Sequence, residues 1–161
     1  MPQTSALDAL RASVLAKELS LEDCDRLAPL VKVHTLADGE VVCPAGQSDS
    51  KLHAVIKGAL VVARKDENGN WQTLHTLTKG DLAGELSFID GHPHFAELRA
   101  AGDTEIMSLD RADLESLLDK HPWLVYRVMR AIMRTVHGIL RRMSIQTSEL
   151  MNYIYKQHGR Y

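Results

Sequence analysis

The chain has 161 residues, 45% hydrophobic and 25% charged, with a net charge of −2. These are values of an ordinary globular chain, which at this size buries roughly 70% of its unfolded surface and needs neither disulfides nor a metal to fold. The charge is unevenly spread: residues 1–120 hold 12 Lys and Arg against 20 Asp and Glu, a net of −8, whereas residues 121–161 hold 7 against Glu149, a net of +6. Such asymmetry marks either an interaction surface or a basic helix packed on an acidic body.

Residues 1–30 predict N-terminal helices. Asp8, Arg11, Lys17 and Glu18 interrupt the opening stretch, so no signal peptide is expected. No apolar run approaches the ~18 residues of a membrane span. Leu7, Leu10, Ala12, Val14 and Leu15 give a loose helical pattern, and Ser20, with Asp23 three residues on, caps a second helix that ends near Pro29. Cys24 and Cys43 form no C-x-x-C pair and read as reduced thiols, which places the chain in the cytoplasm.

Residues 31–110 change character. Short apolar runs recur at 40–42, 54–56, 59–62, 74–77 and 106–109. Turn signals separate them, among them Asp38-Gly39, Lys57-Gly58, Lys79-Gly80 and Ala101-Gly102. Many short strands punctuated by glycine predict an antiparallel sandwich or barrel, with Asn68-Gly69 as an exposed hairpin tip.

Residues 111–158 predict C-terminal helices. Asp110 caps a short one over Arg111–Leu118, and Pro122 opens a long one running to about Gln157. Val125, Met129, Ile132, Val136, Ile139 and Met143 fall at spacings of 4-3-4-3-4, a heptad-like seam that predicts a homodimer interface. Arg127, Arg130, Arg134, His137 and Arg141 lie on the other side. That basic face would suit an acidic protein partner, and its bland reading is a solvated helix face. Gly138 costs about 1 kcal/mol against Ala unless close packing uses its missing side chain.

The segment Gly84-Glu85-Leu86-Ser87-Phe88-Ile89-Asp90-Gly91-His92-Pro93-His94-Phe95-Ala96 carries the chemistry. Backbone N–H groups opening a short helix after Gly84 can face an anion, and Glu85 beside them can accept from sugar hydroxyls. The segment, residues 84–96, resembles the phosphate-binding cassette of the cyclic-nucleotide-binding domain family. Gly39-Glu40, Gly46, Leu52 to Ile56, Gly58 and Gly80-Asp81 extend the resemblance over residues 18 to 145.

The resemblance implies a mainly β fold with flanking helices: an eight-stranded β-roll of double-stranded jelly-roll type, a cassette helix, and a C-terminal lid that often dimerises. It implies ligand contacts from Gly84, Glu85, Leu86 and Ser87. Where the family has the arginine that pairs with the cyclic phosphate, this chain has His94, and bulky Phe95 stands where a small residue follows. Losing that charge-assisted contact costs roughly 1.5–3 kcal/mol. Ile139 and Leu140 fall where the family's helix meets the base; they can pack on its face but offer it no hydrogen bond.

No G-x-S-x-G, P-loop or H-E-x-x-H is present, so the expectation is a regulatory domain and not an enzyme. Its expected ligand is a cyclic nucleotide of cAMP type or a related phosphate, with no other cofactor. The alternative is a ligand-free dimeric scaffold. A metal at His92-x-His94 lacks a third ligand nearby. Sequence-specific DNA binding is not expected, since too few residues follow the long helix for a winged helix-turn-helix, and neither is membrane association.

Overall fold

In a computed structural model of the chain, residues 3–158 are described. Helix α1 (Ala6–Ala12) starts at Ser5, whose hydroxyl accepts from the Asp8 N–H, and a 3₁₀ turn at Val14–Lys17 follows. Helix α2 (Leu21–Leu27) has the anticipated capping box. The Asp23 N–H donates to the Ser20 hydroxyl at 3.1 Å, and the Ser20 N–H donates to the Asp23 carboxylate at 3.0 Å.

Six antiparallel strands follow: β1 (Lys32–Leu36), β2 (Val41–Cys43), β3 (Lys51–Lys65), β4 (Trp71–Leu77), β5 (Leu82–Ala83) and β6 (Glu97–Asp110). The sheet runs β1-β6-β3-β4, with β2 added to β6 and β5 to β3. The apolar runs at 54–56 and 59–62 are one continuous strand, not two. Lys57-Gly58 bends it, and the register against β6 shifts there. Gly58 sits at φ +79°, and a Cβ would lie 2.5 Å from the Asp103 carbonyl oxygen. Ala101-Gly102 similarly lies inside β6. Dividing both strands at their bends recovers the eight segments the resemblance implied. Asn68-Gly69 is a hairpin tip, with the Asp66 carboxylate accepting from the N–H groups of Asn68 and Asn70 at 2.8 and 2.9 Å.

Strand alternation divides the interior. Leu52, Ala54 and Ile56 of β3, with Met107 and Leu109 of β6, pack against the helices. Val55 and Ile106 turn to the other face with Leu36, Cys43, Leu60 and Leu98. His53 and Ser108 lie on that second face and sit opposite each other in the register.

Helix α3 (Glu85–Asp90) is the cassette helix. Helix α4 (Arg111–Glu115) starts at the expected cap, where the Asp110 side chain accepts from the Ala112 N–H. It stops short of Leu118 because the chain tightens into Leu117→Leu114 and Leu118→Glu115 backbone bonds of 3.0 Å. Helix α5 (Pro122–His158) spans 37 residues.

Helix α5 revises two expectations. Its heptad seam is divided between two faces. Val125, Val128 and Ile132 are buried in the core, and Met129 and Val136 pack at its edge. Ile139 is half-buried, while Met143 is 56% exposed. A wide apolar arc holds both an inward row and, one residue away, an outward row; the sequence pattern mixed them. The basic face, too, is largely occupied from within. Arg127 donates to Asp23 at 2.9 Å, and Arg130 and Arg134 reach Glu18 at 2.8 and 2.5 Å. The acidic partner of these three arginines is the chain's own N-terminal region; Arg141 is exposed. Nothing lies within 4 Å of a Cβ at Gly138, so close packing does not explain that glycine.

Candidate functional site

The cassette turn forms as its residues dictate. Gly84 caps α3 in the left-handed region, φ +78°, where a Cβ would fall 2.8 Å from the Lys51 carbonyl oxygen and 3.5 Å from the His94 ring. Glu85 follows, half-buried. Burial raises its carboxyl pKa, partly offset by its own backbone N–H and by His94. Ser87 is buried, its hydroxyl 3.0 Å from that of Ser48. Leu86 and Phe95 are 56% and 65% exposed. Phe95 therefore does not crowd the cassette interior.

His94 is engaged inward. Its N–H donates to the Gln47 carbonyl at 2.9 Å, and its carbonyl accepts from the Gly46 N–H at 2.7 Å, which pins it to the loop between β2 and β3. Its Nε2 lies 3.1 Å from Asp49 Oδ1, and its side chain is only 9% exposed. Asp49 collects three further donors: Cys43 Sγ at 3.1 Å, His53 Nε2 at 3.0 Å and the Lys51 N–H at 3.2 Å. His53 Nδ1 is in turn 2.7 Å from the Ser108 hydroxyl. Burial raises the Asp49 carboxyl, but the hydrogen bonds from His53, Cys43 and His94 outweigh it and hold it well below the usual carboxylate range. The same burial, with Asp49 alongside, pushes the Cys43 thiol up to about 12.

The histidine pair is thereby split: His92 is exposed and faces Asp90 at 3.1 Å, whereas His94 turns inside. Ile139 lines a separate cleft of about 270 Å³ between α5 and the β4–β5 region, shared with Thr135, Arg142 and residues from His75 to Leu82. Leu140, 56% exposed, is not in it. Sequence reasoning missed Cys43, Asp49, His53 and Ser108. The available signal was a histidine at an inward position of the apolar run 52–56.

Among the described residues, no helix is long and apolar enough to cross a membrane. The chain is 26% identical over 142 residues to the human patatin-like phospholipase domain-containing protein 6, an alignment covering 88% of this chain and 10% of that protein. It thus spans about a tenth of the length of that relative. The structure resembles the Thermus thermophilus catabolite activator protein with a TM-score of 0.73 at 25% identity, covering 86% of this chain and 63% of the other. It also resembles the regulatory subunit of a cAMP-independent protein kinase A from Trypanosoma brucei, with a TM-score of 0.69 at 22% identity, covering 83% and 46%. The cyclic nucleotide-binding domain profile matches residues 33–121, more than half of the sequence, and the chain belongs to that family.

Proposed function

We propose that the chain is a regulatory, non-catalytic module whose cassette does not take a cyclic phosphate, because its anion contact is already satisfied from within. The single observation that carries this is the 3.1 Å contact between His94, at the position of the family's arginine, and the Asp49 carboxylate. An imidazole already bonded to a carboxylate has that donor engaged, and the carboxylate repels an incoming phosphate.

Output runs through α5 as a homodimer. Every residue from Arg141 to Gln157 is exposed, and most helical stability comes from packing an apolar face. Tyr126, Met133, Leu140, Met143 and Leu150 are all exposed. With Met129, Val136, Thr147 and Ile154 they repeat at alternating spacings of 3 and 4. That pattern fits a second copy of the same helix. Of the seam expected from sequence, Met129, Val136 and Met143 stay in this interface.

Titration calorimetry with cAMP, cGMP and cyclic di-GMP at pH 6.0 and 7.5 tests the reading. The wild type and His94→Arg should both fail to bind, since the new guanidinium would pair with Asp49. The Asp49→Ser/His94→Arg double variant should gain binding. Micromolar binding by the wild type would overturn the proposal.

A second reading, a sensor of a cyclic nucleotide or related phosphate that moves α5, is favoured by the Gly84–Ser87 turn and by the Ile139 cleft. In it Glu85 takes the ribose, Leu86 and Ser87 present N–H groups to the phosphate, and protonated His94 assists. Affinity that rises from pH 7.5 to pH 6.0 would favour it.

A further inference from the structure

Beneath the cassette, four side chains of the kinds that bind transition metals meet. Cys43 Sγ, an Asp49 carboxylate oxygen and a His53 ring nitrogen lie within 4.8 Å of one another. His94 Nε2 is 3.1 Å from the second Asp49 oxygen. Tetrahedral zinc, with bonds of about 2.0–2.3 Å, sets its ligands about 3.3–3.8 Å apart. Cys43, Asp49 and His53 are thus near that spacing, and His94, on the far Asp49 oxygen, swings in to complete the set.

The supports are firm. Cys43 ends β2, His53 lies near the start of β3, and the His94 backbone is tied to Gly46 and Gln47. Cys43 and His53 are 1% and 3% exposed. The Ser108 hydroxyl, 2.7 Å from His53 Nδ1, holds that ring as an outer partner holds a ligating imidazole.

We propose that Cys43, Asp49, His53 and His94 bind one Zn²⁺ ion, which makes the cassette interior a metal site. The inference rests on the reading that His94 serves Asp49 and not an anion. One thiolate, two imidazoles and one carboxylate suit zinc and not magnesium or calcium, whose sites are built from oxygen ligands. The ion supplies the positive charge that this acidic, secluded pocket lacks. Binding breaks the Cys43 S–H bond and releases its proton to solvent. Each neutral imidazole shifts its proton from Nε2 to Nδ1, where His53 donates it to Ser108. One proton therefore leaves per ion bound.

The test uses the full chain, stripped with a chelator and titrated with Co²⁺ and then with Zn²⁺ against a chromophoric competitor. One ion per chain should bind, with tetrahedral visible bands and a thiolate-to-cobalt band in the near ultraviolet. Cys43→Ser should abolish the thiolate band and weaken zinc by at least roughly 100-fold; Ser108→Ala should weaken it by roughly 10-fold. His92→Ala should change neither. Circular dichroism establishes that each variant is folded, and if Cys43→Ser is not, the wild-type band and stoichiometry decide. Absence of the thiolate band in folded wild type, or its survival in folded Cys43→Ser, overturns the zinc site and leaves the functional reading standing. Cyclic nucleotide binding by the zinc-free wild type overturns the functional reading and leaves a positive cobalt result standing.

Discussion

Asp23 joins the N-terminal helices to α5, and removing its charge should loosen that joint by a predictable amount. Its side chain is 4% exposed, accepts from the Ser20 N–H at 3.0 Å and pairs with Arg127 at 2.9 Å. Asp23→Asn keeps an acceptor for Ser20 and loses only the charge. A charge-assisted bond contributes about 1.5–3 kcal/mol, but Arg127 is 40% exposed and water screens it. The expected cost is therefore about 1 kcal/mol. Asp23→Ala also removes half of the capping box, for a total of about 2 kcal/mol. At 2–4 °C per kcal/mol for a chain of this size, the Tm should fall by about 2–4 °C and 4–8 °C respectively.

The pH dependence has a fixed sign. Burial raises the Asp23 carboxyl, yet the Ser20 hydrogen bonds and Arg127 hold it below its ordinary value of 3.8. Its contribution is present above that value and is lost as pH falls through the lower folded value. Urea unfolding of wild type, Asp23→Asn, Arg127→Ala and the double variant should give a coupling of about 1 kcal/mol at pH 7. The gap between wild type and Asp23→Asn should close below pH 3.8. Additive single costs at pH 7, or a gap that persists in acid, would refute the ion-pair account.

The remaining predictions are as direct. Gly138→Ala, with open space around the new methyl, should stabilise the chain by about 0.5–1 kcal/mol in urea unfolding, and a loss would show that the glycine is in use. Leu140→Glu, on the outward row, should leave the far-ultraviolet circular dichroism of the roll intact and give a monomer by light scattering; an unchanged mass would remove α5 as the dimer seam. Glu85→Gln should raise stability at pH 7, because burial lifts the Glu85 pKa above 4.5. The favourable protonated form is lost as pH rises, and the gain over wild type should vanish in acid. Gly84→Ala should destabilise by about 1–2 kcal/mol from its left-handed backbone alone, more if the Lys51 carbonyl at 2.8 Å does not yield.

The features legible in the sequence were those with a local cause. The Ser20–Asp23 cap, the Asn68-Gly69 hairpin and the Pro122 start of α5 each depend on a few adjacent residues, and each formed as read. Gly58 misled because a glycine at positive φ serves a bend inside a strand as readily as a turn; what decides is Asp103, 45 positions away. The α5 seam misled for a related reason. Periodicity identifies an apolar arc but not which part of it the roll covers, and only the packing of Val125 and Ile132 fixes that rotation.

The cassette is the deepest instance of the same limit. Aligned by motif, His94 reads as a weakened phosphate contact, a statement about a missing charge. In three dimensions the matter is what replaced it. Asp49 comes from the loop before β3, Cys43 from the end of β2 and His53 from the inward side of β3, all within residues 43–53, whereas His94 lies 45 positions from Asp49, so no cassette motif includes them. Their meeting depends on the β2–β3 loop folding over the cassette, held by the Gly46 and Gln47 bonds to His94. A residue that looks like a loss within one segment is thus partnered by Asp49 of another, and the pair should be changed together. That is why the double variant Asp49→Ser/His94→Arg, and not His94→Arg alone, is the decisive restoration of a phosphate site.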